Sequence, residues 1–151
     1  MTRPPRGRAR RGPPRLRALA VGATVAGSGW LAACGEAAPD LFTVQRTGVI
    51  PGARLNLIVS DDGTVRCNGA NKLLMSDPEL LQARQLQRDL DKPATNGVTL
   101  PPGRQSILTY TVTTPSGQVR FSDTSPGVQP AFLRLAAFTR EVATGVCRLA
   151  R

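Results

Sequence analysis

The segment QSILTYTVTTPSGQVRFSD, residues 105–123, decides the fold. Leu108, Tyr110 and Val112 alternate with threonines in a strand over Gln105 to Thr114, Pro115-Ser116-Gly117 reverses the chain, and Val119 and Phe121 return with the same period of two over Gln118 to Asp123. A period of two places one set of side chains on each face, and a Pro/Ser/Gly cluster supplies the turn. The segment therefore reads as a β-hairpin with one apolar face and one hydroxyl-rich face. Such a face needs a second layer to cover it.

The sequence offers two covering helices. Ser76-Asp77-Pro78-Glu79 reads as a helix start, with Ser76 as cap, Glu79 closing a capping box and proline tolerated in the first turn. Leu80, Ala83, Leu86 and Leu90 then fall on one face at steps of three and four. From Pro130 a second stripe follows: Phe132, Leu135, Phe138, Val142 and Val146. The intervening Lys92 to Arg104 is rich in Pro, Gly and Asn without periodicity, and reads as a long loop.

Working outward toward the N-terminus, Leu41 to Arg46 alternates with Phe42 and Val44 on one side, and Arg54 to Ser60 with Leu55, Leu57 and Val59. Asp61-Asp62-Gly63 reads as a tight turn into a short strand, Thr64 to Cys67. The paired aspartates have no further carboxylates at ligand spacing, so the turn reading prevails over a calcium site. The order ββ(β)αββα predicts an α+β fold: an antiparallel sheet of four to five strands with two helices packed on one face. Phe42, Val44, Leu55, Leu57, Val59, Leu108, Tyr110, Val112, Val119 and Phe121 are the expected core face.

Upstream of this domain the chain has a different character. Seven arginines and no acids precede Ala18, and Ala18 to Ala33 is an uncharged run of about 16 residues, short for a membrane span of roughly 20. The run ends in Leu31-Ala32-Ala33-Cys34, which matches the lipobox of bacterial lipoprotein precursors at all four places. The expectation is a lipoprotein signal peptide over 1–33, a diacylglyceryl anchor on Cys34, a tether over 34–40 and a single domain over 41–151. The implied location is the outer face of the cell membrane. Arg10-Arg11 leaves twin-arginine and general export both open, and an uncleaved anchor with Cys34 as an ordinary thiol is the alternative to lipidation.

Removing the leader changes the charge. The whole chain is formally +10, but seven of its 20 basic residues precede Cys34; the remainder sets 13 against 10 acids, a net +3. A nucleic-acid partner loses its main support. Cysteine usage shifts in the same way. With Cys34 lipidated, Cys67 and Cys147 remain as a pair in an exported chain, where disulfides persist. A bridge is the expectation and two buried free thiols the alternative. A metal site is not expected, because the chain has no histidine and two thiolates seldom complete a zinc shell. No cofactor motif is present.

The absence of histidine also removes common triad and general-base chemistry, and neither a Gly-x-Ser-x-Gly elbow nor a phosphate-binding glycine loop occurs. No catalytic residue is assigned, and the chain reads as a binding protein. The stretch that breaks the strand pattern is Thr47-Gly48-Val49-Ile50-Pro51-Gly52-Ala53-Arg54, a loop with two apolar residues in its middle. Val49 and Ile50 either enter a partner's pocket or fold back onto the core. From Phe42 to Leu149 the domain is similar to uncharacterised exported lipoproteins of high-GC Gram-positive bacteria. In element order, and in a first strand that enters a glycine-containing loop followed by Arg, it distantly resembles the emfourin family of metalloprotease (protealysin) inhibitors. Gly48 and Gly52 fit that pattern, whereas Thr47, Val49 and Pro51 depart from its Ser-Gly-Gly start. The resemblance implies docking on an exported protease through Thr47 to Arg54. A carrier of a lipid or small apolar ligand, with a cavity between sheet and helices, is the second expectation.

Overall fold

In the computed structural model the described residues are 39–149; the leader, Cys34 and most of the tether lie outside them. Six strands form one antiparallel sheet: β1 (Asp40–Gly48), β2 (Leu55–Ser60), β3 (Thr64–Cys67), β4 (Leu73–Leu74), β5 (Leu108–Thr114) and β6 (Gly117–Ser122), in the spatial order β4-β3-β2-β1-β5-β6. Helices α1 (Asp77–Thr95) and α2 (Pro130–Gly145) pack against each other on one face. This is the α+β arrangement anticipated, with one strand more than the expected maximum. The extra strand, β4, has two exposed leucines, and its neighbour Met75 donates its amide to the Gly63 carbonyl. Two residues are too few to leave a periodic signature.

Registers explain the core. Leu57, Val44, Val112 and Val119 lie opposite one another across β2, β1, β5 and β6, and Leu55, Arg46, Tyr110 and Phe121 form the next row. Every one of these except Arg46 is buried. The rings of Tyr110, Phe121 and Phe132 stack at 5.0 and 4.8 Å, joining the hairpin to α2, and Phe42 meets Phe138 edge-on at 6.0 Å. Of the ten core residues expected from alternation, only Leu108 is not fully buried, because it stands at the open end of the sheet. The opposite face carries Thr43, Thr109, Thr111 and Thr113, together with Arg66, whose Nε is enclosed without a partner among the described residues.

Three boundaries differ from the sequence reading. Thr47 and Gly48 belong to β1, paired with Thr109 and Leu108, so the connection to β2 is shorter than the apparent loop. The clearest strand begins at Leu108 rather than Gln105. Lys92 to Arg104 is not a free loop: α1 runs through Pro93 to Thr95, and Thr99 bridges Arg120 in parallel. Leu100 donates to the Arg120 carbonyl at 2.8 Å, and Arg120 donates to Val98 at 3.0 Å. Burial of Leu90, Pro93 and Ala94 outweighs the one helical hydrogen bond that proline removes. The segment covers the free edge of β6, which would otherwise present unpaired backbone groups.

Other signals translate directly. The Ser76 amide donates to Glu79 Oε2 at 2.7 Å, closing the capping box. Asp61 accepts from Arg84 at 2.7 Å and Asp62 from Lys72 at 3.0 Å, so both turn aspartates hold structure together. The sulfurs of Cys67 and Cys147 are within bonding distance, with Cα atoms 6.2 Å apart, linking the segment after α2 to β3. Among the described residues, no helix is long and apolar enough to cross a membrane.

Candidate functional site: the loop between β1 and β2

The loop owes its shape to its sequence. Ala53 donates its amide to the Ile50 carbonyl at 3.1 Å, closing a turn with Pro51 and Gly52 at its centre. Gly52 has φ of 74°, which the third position of a type II turn requires and which proline before it prepares. Val49 donates to the Ile107 carbonyl at 3.2 Å, fastening the start of the loop to the chain entering β5. From beneath, Arg46 donates through Nε to Ala53 O at 2.9 Å and through a terminal nitrogen to Gly52 O at 3.1 Å. Ala53 itself is buried and serves as the foot of the loop.

The tip is therefore held at four points while its apolar side chains remain outside. Val49 is 83% exposed and Ile50 48%. Val49 does not fold back onto the core, whereas Ile50, about half covered, lies along the cleft beside α2. Ile107, 44% exposed and hydrogen-bonded through its carbonyl to Val49, extends the same apolar surface. Arg54 is exposed at the base, and the loop contains no carboxylate. On the open-sheet side, Gln45, Thr47, Arg54, Asn56 and Asn68 line a broad concavity of about 640 Å³.

On the helix side the loop borders α2. Arg46, Ile50, Pro51, Leu108, Arg140 and Ala143 line a cleft of about 190 Å³. An adjoining cleft of about 340 Å³ shares Arg46, Leu108 and Arg140 with it and reaches Tyr110 and Leu133. Burial pushes the Tyr110 hydroxyl above its usual titration range, while the positive charges of Arg46 and Arg140 work against that rise.

Of the expected site residues, the structure keeps Thr47 to Arg54 contiguous but divides their roles. Thr47 and Gly48 are strand, Val49 and Ile50 are the exposed tip, Pro51 and Gly52 the turn, and Ala53 the buried foot. Cys34 lies outside the described residues. Cys67 and Cys147 are brought together from the end of β3 and the segment after α2. Two participants lie outside the stretch that the sequence marks. Arg46 shares the parity of Phe42 and Val44 and so belonged on the core side, which was a readable signal for a clamp; Ile107 sits ahead of a strand whose start was placed too early. Among the described residues no group of three potential metal ligands occurs. No family model matches the chain, and the comparisons with curated proteins and with solved structures give no match either.

Proposed function

We propose that this chain is a non-catalytic, lipid-anchored envelope protein that acts by binding, docking through the loop from Thr47 to Arg54 onto an exported metalloprotease. One observation carries the reading: a rigidly fastened loop leaves Val49 outside at 83% exposure. An apolar side chain fixed in water contributes nothing to the fold, and a partner that covers it incurs little ordering cost. The topology supports presentation. β1 runs nine residues from Asp40 to the loop, roughly 30 Å at strand rise, so the tip stands at the opposite end of that strand from the first residues of the domain. Tethering would raise the local concentration of the tip toward envelope neighbours. Localisation is tested with Cys34→Ala, which should release the chain from the membrane fraction; retention and lack of processing would contradict the anchor. Docking is tested by assaying a thermolysin-like metalloprotease with the chain from Glu36 onward, where undiminished activity at micromolar concentration would contradict inhibition.

The second reading, a carrier of a lipid or small apolar ligand, cannot use the interior, which Phe42, Phe121, Phe132 and Phe138 fill. In its support stand the surface clefts along α2.

A further inference from the structure

Beside α2 the clefts combine apolar walls with two arginines, of which only Arg46 also serves the loop. Their walls are apolar: Leu108 and the edge of Phe121 from the sheet, Leu133, Ala136 and Ala137 from α2. Their polar groups are two arginines and a phenol, together with Ser122, Asp123 and Thr144. Arg46 enters from β1, Arg140 from α2, and the Tyr110 hydroxyl sits between the elements that carry them. The one carboxylate present, Asp123, is engaged elsewhere, accepting from Ser106 Oγ at 3.0 Å and from the amides of Ile107 and Leu108 at 3.2 Å each. Among the described residues Arg46 forms no ion pair, and the Gly52 and Ala53 carbonyls fix it in place. Arg140 has no ion-pair partner among the described residues either.

Two cations and a hydroxyl lining one apolar trough, set against the single carboxylate of Asp123, leave it a net positive charge and are complementary to a negative head group that carries hydrocarbon. We propose that the clefts bind a small anionic amphiphile, with a carboxylate between Arg46 and Arg140 and the chain lying along Leu108 and Leu133. The 340 Å³ cleft is at the lower end of small-ligand sites, which fits a chain of about ten carbons rather than a diacyl lipid. The adjoining 190 Å³ cleft, past Ile50 and Pro51, extends the same trough. This site rests on the second reading, the carrier, and not on docking by the loop.

Tyr110 provides the measurement. It is the chain's single tyrosine, and the single tryptophan, Trp30, precedes the domain, so the chain from Glu36 onward reports the cleft by tyrosine fluorescence alone. Decanoate, below its self-association concentration, should change that signal saturably. Decanol should bind at least tenfold more weakly, and inorganic phosphate should give no response. Arg140→Glu and Leu133→Glu, both at exposed positions, should each weaken decanoate at least tenfold with the thermal unfolding midpoint held, while Val49→Asp should leave it unchanged. Equal affinity for decanol, a full response to phosphate alone, no response to decanoate, or unaltered decanoate binding by Arg140→Glu would each overturn the proposal.

Discussion

Arg46 Nε lies 2.9 Å from the carbonyl oxygen of Ala53, so a side chain from the last inward position of β1 fixes the foot of the loop that follows it. The guanidinium leaves the core row of Leu55, Tyr110 and Phe121 and ends on two loop carbonyls. Replacing it by Ala should cost about 1.5–3 kcal/mol, the range for hydrogen bonds to a charged group. It should also speed amide exchange at Ala53 more than at the centre of β1. Urea unfolding and hydrogen exchange check both parts.

The bridge between Cys67 and Cys147 closes 80 residues of chain. In the chain-entropy model that corresponds to roughly 4–5 kcal/mol, an upper figure when the reduced chain keeps residual structure. Cys147→Ser should therefore lower unfolding free energy by about 2–5 kcal/mol, and dithiothreitol should lower the wild type to the same level without affecting the variant.

Gly117 opens β6 with φ of 142°, and a Cβ there would press on the Ala94 carbonyl at the end of α1. Gly117→Ala should destabilise by about 1–3 kcal/mol through a forced separation of the hairpin from the helix. Phe132→Ala should cost more, about 3–5 kcal/mol, because it removes the outer ring of the three-ring stack and leaves a cavity. Urea unfolding of the two variants would rank them.

Stability should respond to pH at both extremes. Asp62 accepts from Thr64 and Lys72, and its carboxyl is lowered from 3.8 to about 2. A lowered folded-state value means its contribution is present above pH 4 and lost as pH falls toward 2. Tyr110 is raised above 10 by burial, so its contribution is present below pH 10 and lost as pH rises through the folded-state value. Asp62→Asn should flatten the acid limb of a melting curve series, and Tyr110→Phe the alkaline limb.

The sheet, both helices and the cysteine pair were legible because each rests on a periodic or even-numbered signal. Leu55, Leu57 and Val59 alternate over a whole strand, and Ser76 with Glu79 marks a helix start within four residues. The continuation of α1 through Pro93 was not legible, since burial of Ala94 against the hairpin turn is a tertiary effect that overrides the local breaker. The exposure of Val49 and Ile50 was equally hidden: composition gives their hydrophobicity but not the direction of a turn set by Gly52, Arg46 and the distant Ile107. The two arginines of the cleft are separated by 94 residues, and only the packing of α2 brings them together.

The exposed tip is decisive for docking, and it is tested most directly by inhibition of a thermolysin-like metalloprotease by the chain from Glu36 onward, compared with the same chain carrying Val49→Asp and Ile50→Asp. The native sequence should inhibit, with a loss on the order of tenfold or more in the doubly substituted chain at an unchanged unfolding midpoint. Protease activity unaffected by either chain, or inhibited equally by both, would contradict docking through the tip.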